Sequence, residues 1–148
     1  MNIHETNPYD ILLAGVYAGF MLAAILNCLL LKLYGLKGLP ISVLTNTVMQ
    51  ATFLSGFSVI DRGKSPPLFQ MVVAMIYFIL LTSIWSGGTY IILKRKGRSP
   101  EIPSSLALFL CSIFFWEFYI PALFALFILL IPARDIRKKY NSVFTGNE

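Results

Sequence analysis

The sequence predicts an all-α protein, a single multi-pass membrane domain built as a bundle of four transmembrane helices. Hydrophobic residues make up 57% of the 148 residues and charged residues only 13%, whereas a soluble domain carries about 25% charged residues. Four apolar segments are each long enough, at ~1.5 Å per residue, to cross a ~30 Å hydrocarbon core. They cover about residues 9–33, 41–60, 68–93 and 106–131, and a basic tail follows, residues 132–148.

The first segment carries small residues at a spacing of four, which places them on one face of a helix. These are Gly15, Gly19 and Ala23, followed on the same face by Asn27. Glycine and alanine let two helix backbones approach closely, and an asparagine can hydrogen-bond across the contact. We therefore predict that this face packs against another helix, either within the chain or in a second chain.

The second segment contains no charged residue but many polar ones. It repeats the packing pattern of the first segment at Thr47, Ala51 and Ser55. On a different face, Asn46 and Gln50 lie one helical turn apart. A carboxamide in hydrocarbon needs hydrogen-bond partners. These two side chains therefore either bond to neighbouring helices or line a polar path with an acidic residue of the fourth segment.

The third segment ends in a glycine pair, Gly87-Gly88, which is expected to loosen its last helical turns. Trp85 and Tyr90 flank this pair and precede the basic residues 94–96, so we interpret them as anchors at the membrane surface.

The fourth segment contains Glu117, the one acidic residue well inside an apolar segment. A charged side chain at that depth costs at least ~2.5 kcal/mol, so it needs a partner or a wet cavity. Pro121 follows four residues later, and a proline within a helix clashes with the carbonyl four residues back. We therefore predict a kink, with an intramembrane polar site formed by Glu117, Pro121, Asn27, Asn46 and Gln50.

Three roles are open for Glu117. It could be a neutral carboxyl hydrogen-bonded to Asn27, Gln50 or a serine, it could handle protons or cations, or it could pair with a basic residue of a partner.

The basic residues do not decide the orientation of a four-span protein. Six lie on the side of the termini and six on the other side: Arg62, Lys64, Arg134, Arg137, Lys138 and Lys139 against Lys32, Lys37, Lys94, Arg95, Lys96 and Arg98. This tie is compatible with dual topology in an antiparallel homodimer, with a second segment that does not span, or with a dominant basic tail. The net charge of +5 suits anionic lipid headgroups and does not indicate nucleic-acid binding.

The chain lacks the side chains of the common enzyme sites. His4 is its single histidine, and we find no HExxH motif and no Ser/His/Asp set. We therefore predict no catalytic residues, no metal site and no cofactor, and a protein that is not an enzyme.

The end of the fourth segment resembles the last span and tail of the immunity proteins that protect bacteria against pore-forming colicins. The resemblance covers about 30 residues, from Phe115–Ile120 through Leu129–Pro132 to Arg134–Lys139. It implies a protein of the bacterial inner membrane that binds the helices of a toxin within the bilayer.

We expect a non-enzymatic membrane protein that acts through helix–helix association, either as a colicin immunity protein or as a small subunit of a membrane complex. Its partners would be the lipid bilayer and another membrane protein, or a second copy of the chain. The alternative is a small oligomeric channel or a proton-coupled transporter centred on Glu117.

Overall fold

The computed structural model describes residues 7–114, 117 and 119–134, with Pro121 described by its backbone alone. The described residues form helices and no strand, which confirms the all-α class. The elements are α1 (Pro8–Tyr34), a 3-10 turn (Gly35–Gly38), α2 (Leu39–Arg62), α3 (Leu68–Thr82), a π-helical segment (Ser83–Gly87), α4 (Gly88–Arg95), α5 (Glu101–Ile113) and α6 (Tyr119–Leu130). The tail beyond residue 134 and part of the colicin-like stretch, residues 115, 116, 118 and 135–139, lie outside the described residues.

Local chemistry explains where the long helices begin and end. The Asn7 side chain accepts a hydrogen bond from the Tyr9 N–H and caps α1, and Pro8 occupies the first turn, where no amide hydrogen is needed. Gly35 ends α1 at a φ of 60°, and Gly63 ends α2 in the left-handed conformation. Proline at positions 66 and 67 separates α2 from α3.

Helices α1 and α2 form an antiparallel hairpin. At one end, the rings of Tyr9 and Phe57 lie 5.8 Å apart in an edge-to-face arrangement. Near the connection, Gly38 lies so close to α1 that a Cβ there would be 2.7 Å from the Leu30 carbonyl oxygen. A side chain at this position would therefore force the two helices apart.

Helix α3, the π-helical segment and α4 follow one another without interruption, antiparallel to α2. The Ser55 hydroxyl lies 3.6 Å from the Met71 sulfur at one end, and Gly87 packs against Leu39 at the other. The π-helical segment lies where the glycine pair was expected to loosen the helix. By length and composition, two continuous helical stretches could cross a membrane: Pro8–Arg62, which contains α1 and α2, and Leu68–Arg95.

The fourth apolar segment differs from the single helix expected for residues 106–131. It consists of two short helices, α5 and α6, and the chain reverses direction between them. Helix α5 starts beside α4, yet the end of α6 returns to the same place, where the Arg134 N–H donates to the Lys96 carbonyl at 3.0 Å. The two helices therefore form a hairpin, and we call the described residues between them, Phe114 and Glu117, the hairpin tip.

The hairpin tip lies about halfway along the neighbouring helices. At the end of α5, the Gln50 side chain donates to the Ser112 carbonyl at 2.6 Å, and the Ser112 hydroxyl donates to Asn46 at 2.9 Å. Gln50 is close to the middle of the 24-residue helix α2, roughly 17 Å from its start at 1.5 Å per residue. The 12 residues of α6 cover a similar distance on the way back.

The chain breaks before Pro121 rather than kinking at it. The Phe114 carbonyl accepts from the Glu117 N–H, and the Glu117 carbonyl accepts from the Ile120 N–H at 3.2 Å. Helix α6 starts at Tyr119, so Pro121 lies in its first turn, where the missing amide hydrogen has no intrahelical acceptor to lose. A new helix therefore accommodates the proline without the clash that a continuous helix would suffer.

The Lys96 side chain holds the returning end of α6. Its ammonium nitrogen lies 3.3, 2.6 and 2.7 Å from the carbonyl oxygens of Ile128, Leu129 and Ile131. The Ile128 and Leu129 carbonyls belong to the last turn of α6, whose carbonyls have no amide partners within the helix and carry the negative end of its dipole, and Ile131 follows directly after the helix. The Arg98 Nε donates to the Pro132 carbonyl beside them at 3.3 Å.

Replacing Lys96 by methionine should loosen the hairpin, because methionine keeps the apolar stem but removes the ammonium group. Loss of charge-assisted hydrogen bonds to these carbonyls should lower the free energy of unfolding by about 1.5–3 kcal/mol. Unfolding in bicelles followed by circular dichroism measures this. Lys37→Met, which changes an exposed lysine of the 3-10 turn, is the control and should change stability little. Equal stability of the two variants would show that Lys96 does not hold the hairpin.

Candidate functional site

Seven buried polar side chains meet inside the protein where α1, α2, the π-helical segment and α5 come together. We call this set the polar layer: Asn27, Ser42, Asn46, Gln50, Ser86, Ser104 and Ser112. None of them is more than 5% exposed. Large apolar side chains, in contrast, lie on the outer surface, where Leu22 is 67% exposed and Leu130 is 73% exposed.

One half of the polar layer joins the π-helical segment to α5. The Ser86 hydroxyl donates to the Ser104 carbonyl at 2.9 Å, and the Ser104 hydroxyl donates to the Ser86 carbonyl at 2.6 Å. The Asn27 amide reaches Ser86 from α1 at 3.4 Å. The Ser86 carbonyl, in the π-helical turn, thus accepts a side-chain donor from α5.

The other half joins α2 to the end of α5. Ser112 is central to it, because its hydroxyl hydrogen is shared between Asn46 Oδ1 at 2.9 Å and the Leu108 carbonyl at 2.7 Å, while its carbonyl accepts from Gln50. Asn46 and Gln50 are one turn apart on α2, as the sequence indicated, and both are buried. Of the two roles expected for them, the observed one is hydrogen bonding to a neighbouring helix.

Three atoms of the polar layer have no hydrogen-bond partner within the described part of the chain. They are Asn27 Oδ1, Ser42 Oγ and Asn46 Nδ2. A buried polar group without a partner costs about 1–3 kcal/mol. The polar layer therefore contributes less to stability than its number of polar groups suggests, and its directional bonds chiefly fix which residues of the helices face one another.

Glu117 is separate from the polar layer. It lies exposed at the hairpin tip and accepts a hydrogen bond from the hydroxyl of Tyr119, which is 60% exposed. Asn27, Asn46 and Gln50 face the interior, so the structure does not bring them together with Glu117 as the predicted polar site required. Pro121 lies one turn beyond Glu117 at the start of α6.

The small residues of the first segment have different surroundings. A Cβ at Gly19 would collide with the methyl group of the Met49 side chain on α2, and Ala23 is buried. Gly15 has open space where a Cβ would be and borders a cavity between α1 and α2. Close packing therefore involves Gly19 and Ala23 within the chain, while Gly15 leaves a gap.

The three residues of α2 that repeat this spacing, Thr47, Ala51 and Ser55, are buried or half-buried. Thr47 is buried and donates to the Val43 carbonyl at 2.8 Å. Ala51 is half-buried, and the half-buried Ser55 contacts Met71 of α3. These residues serve packing within the chain.

Sequence reasoning missed the three serines of the polar layer that bond across helices, Ser86, Ser104 and Ser112. A serine in an apolar segment is common and often bonds to its own helix, so composition gave no signal. Ser104 and Ser112 are two helical turns apart and share a face, which is the one pattern that could have indicated their role.

The chemistry of the polar layer is limited to hydrogen bonding, because amides and hydroxyls do not titrate near neutral pH. It can therefore specify helix pairing but cannot itself take up or release protons. Comparisons with protein families, with curated proteins and with solved structures found no match to this chain.

Ser112→Ala and Ser42→Ala should affect stability differently, although each removes one buried hydroxyl. Ser112→Ala leaves Asn46 Oδ1 buried without its donor and should lower the free energy of unfolding by about 1–2 kcal/mol. Ser42→Ala removes a hydroxyl without a partner among the described residues and should be neutral or stabilising. Parallel unfolding titrations in bicelles compare them, and a larger loss for Ser42→Ala would contradict this arrangement.

Proposed function

We propose that the chain is an integral membrane protein with three crossings, α1, α2 and the rod from α3 to α4, and a re-entrant α5–α6 hairpin. The lengths of Pro8–Arg62 and Leu68–Arg95 support this placement. The distribution of side chains also supports it, since polar residues are buried while large apolar residues lie outside. Such a surface suits hydrocarbon as the surrounding solvent.

Because the fourth segment returns to the side from which it starts, the basic residues are no longer divided equally between the two sides of the membrane. Seven described basic residues lie at the end of the protein that contains Lys96: Lys32, Lys37, Lys94, Arg95, Lys96, Arg98 and Arg134. Two lie at the opposite end, Arg62 and Lys64. The positive-inside rule then places the Lys96 end in the cytoplasm, which suits the inner membrane of a bacterium.

The protein acts, in this proposal, by binding another membrane-spanning helix at the hairpin tip, without catalysis. The observation that carries the proposal is the exposed Glu117 carboxyl, which lies near mid-depth on the outer surface beside the Tyr119 hydroxyl. A carboxyl facing hydrocarbon is costly, and a donor or cation of a partner helix at the same depth would offset that cost.

Charge complementarity favours a different protein over a second copy as the partner. The sequence has no Lys, Arg or His within residues 9–31, 38–61, 65–93 or 99–133. A second copy therefore has no basic residue at the depth of Glu117. A partner helix that carries a basic or amide side chain near its middle would fit.

A colicin immunity protein is one specific form of this function, because it would bind toxin helices within the bilayer. The resemblance at residues 115–139 supports this form. It predicts that cells expressing the chain survive a pore-forming colicin and that Glu117→Gln cells do not. Equal killing of cells with and without the chain, across the pore-forming colicins, would restrict the proposal to other membrane partners.

Transport centred on Glu117 is the alternative function. The described structure offers less support for it, because Glu117 is not connected to the buried polar layer. In an oligomer the tips could still meet at a shared path. Proton flux in liposomes that is abolished by Glu117→Gln would favour transport over partner binding.

A photo-crosslinking residue at Leu123, on α6 one turn beyond Tyr119, should capture a distinct membrane protein in the native cell. The same residue at Leu44, an exposed position on α2, is the positional control and should not capture that protein. Glu117→Gln should weaken the complex by at least ~2 kcal/mol, because it removes the charge and leaves the partner's group unpaired.

Glu101→Gln is the matched charge control, because Glu101 lies in the first turn of α5, far along the hairpin from the tip. It should leave the crosslink unchanged. Identical crosslinks from positions 123 and 44, or a crosslink insensitive to Glu117→Gln, would refute binding at the hairpin tip.

A further inference from the structure

A cavity of about 300 Å³ opens at the Lys96 end, where the ends of the hairpin meet α4. Its walls include the side chains of Arg98, Ser99 and Arg134. Its remaining walls are apolar and come from Leu93, Pro103 and Ile131. The volume is at the lower end of the ~300–1,000 Å³ range of small-molecule sites.

The described residues that line this cavity include two arginines and no acidic residue, so its lining carries net positive charge. No carboxylate of the described residues lines it, and the one ion pair in the described part of the chain, Arg62 with Asp61, is at the opposite end. The neighbouring Lys96 is already engaged by the carbonyls of α6.

The chemistry of the guanidinium groups suits a phosphate. The Arg98 Nε is held by the Pro132 carbonyl at 3.3 Å, which fixes the side chain and leaves its four terminal N–H donors for a ligand. A guanidinium group binds phosphate oxygens in a bidentate manner, and the Ser99 hydroxyl can add a further donor.

We propose that this cavity binds the phosphate of an anionic phospholipid headgroup, with Arg98 and Arg134 as its principal ligands. The site rests on the membrane placement proposed above. Its apolar walls favour a lipid over free phosphate, because they can cover the glycerol and the first acyl carbons. Its position at the ends of α4 and α6 corresponds to the headgroup level of the cytoplasmic leaflet, where basic pockets between helices bind anionic lipids.

The test is native mass spectrometry of the full chain in a neutral detergent, titrated with dioleoyl phosphatidylglycerol or with dioleoyl phosphatidylcholine. The wild type should retain phosphatidylglycerol preferentially. Arg98→Gln/Arg134→Gln should lower its affinity for phosphatidylglycerol at least ~10-fold. Arg134→Gln alone should lower the affinity for phosphatidylglycerol by a smaller factor. This single variant keeps the Arg98–Pro132 hydrogen bond, so it tests the site even if the double variant does not fold.

Lys94→Gln/Arg95→Gln is the matched control, because it removes the same charge at the same end from residues that do not line the cavity. It should retain wild-type affinity for phosphatidylglycerol. An equal loss in this control, or no preference over phosphatidylcholine in the wild type, would overturn the site. Displacement of the lipid by millimolar inorganic phosphate would instead identify free phosphate as the ligand and overturn the lipid assignment. The tip crosslink at residue 123 should persist in the arginine variants, so failure of the lipid site and failure of partner binding are distinguishable.

Discussion

The contact between the Lys96 ammonium group and the last carbonyls of α6 is the interaction on which the rest of the architecture depends. It holds the last residues of the fourth apolar segment at the same end of the protein as the first residues of that segment. Because α5 and α6 have only 13 and 12 residues, the turn between them must then lie about halfway along the neighbouring helices. The position of Glu117 along the neighbouring helices, the proposed orientation of the chain and the cavity at the Lys96 end all follow from this return.

The polar layer and Glu117 lie in separate places, although the sequence predicts that they form one site. Asn27, Asn46 and Gln50 lie inside, where Asn46 and Gln50 both bond to Ser112 of α5 and Asn27 bonds to Ser86. Asn46 and Gln50 hold α5 against α2, Ser86 and Ser104 hold it against the π-helical segment, and Asn27 joins α1 to that segment, so directional bonds fix α5. Glu117 remains outside this network, and its carboxyl is free to contact another chain.

The sequence predicts the parts of this structure that depend on local chemistry. The glycine pair at 87–88 predicts the irregular turns that the π-helical segment shows, and Glu117 with Pro121 predicts a break in the helix of the fourth segment. The reversal of the chain could not be predicted, because an apolar run of residues has the same composition whether it crosses a bilayer or returns. The pairing of Ser86 with Ser104 could not be predicted from the sequence either, because it depends on how the π-helical turn rotates Ser86 toward α5.

The distance between the two ends of the hairpin tests the central claim most directly. Spin labels at Ser99 and Ala133, both exposed, would be introduced into a Cys28→Ala/Cys111→Ala chain and measured in bicelles by double electron–electron resonance. The re-entrant hairpin predicts a single short distance, near the lower limit of the method, because the Arg134 N–H bonds to the Lys96 carbonyl beside these positions. A distance of roughly 40 Å, the length of a continuous 26-residue helix at 1.5 Å per residue, would show that the segment crosses the membrane and would contradict the account.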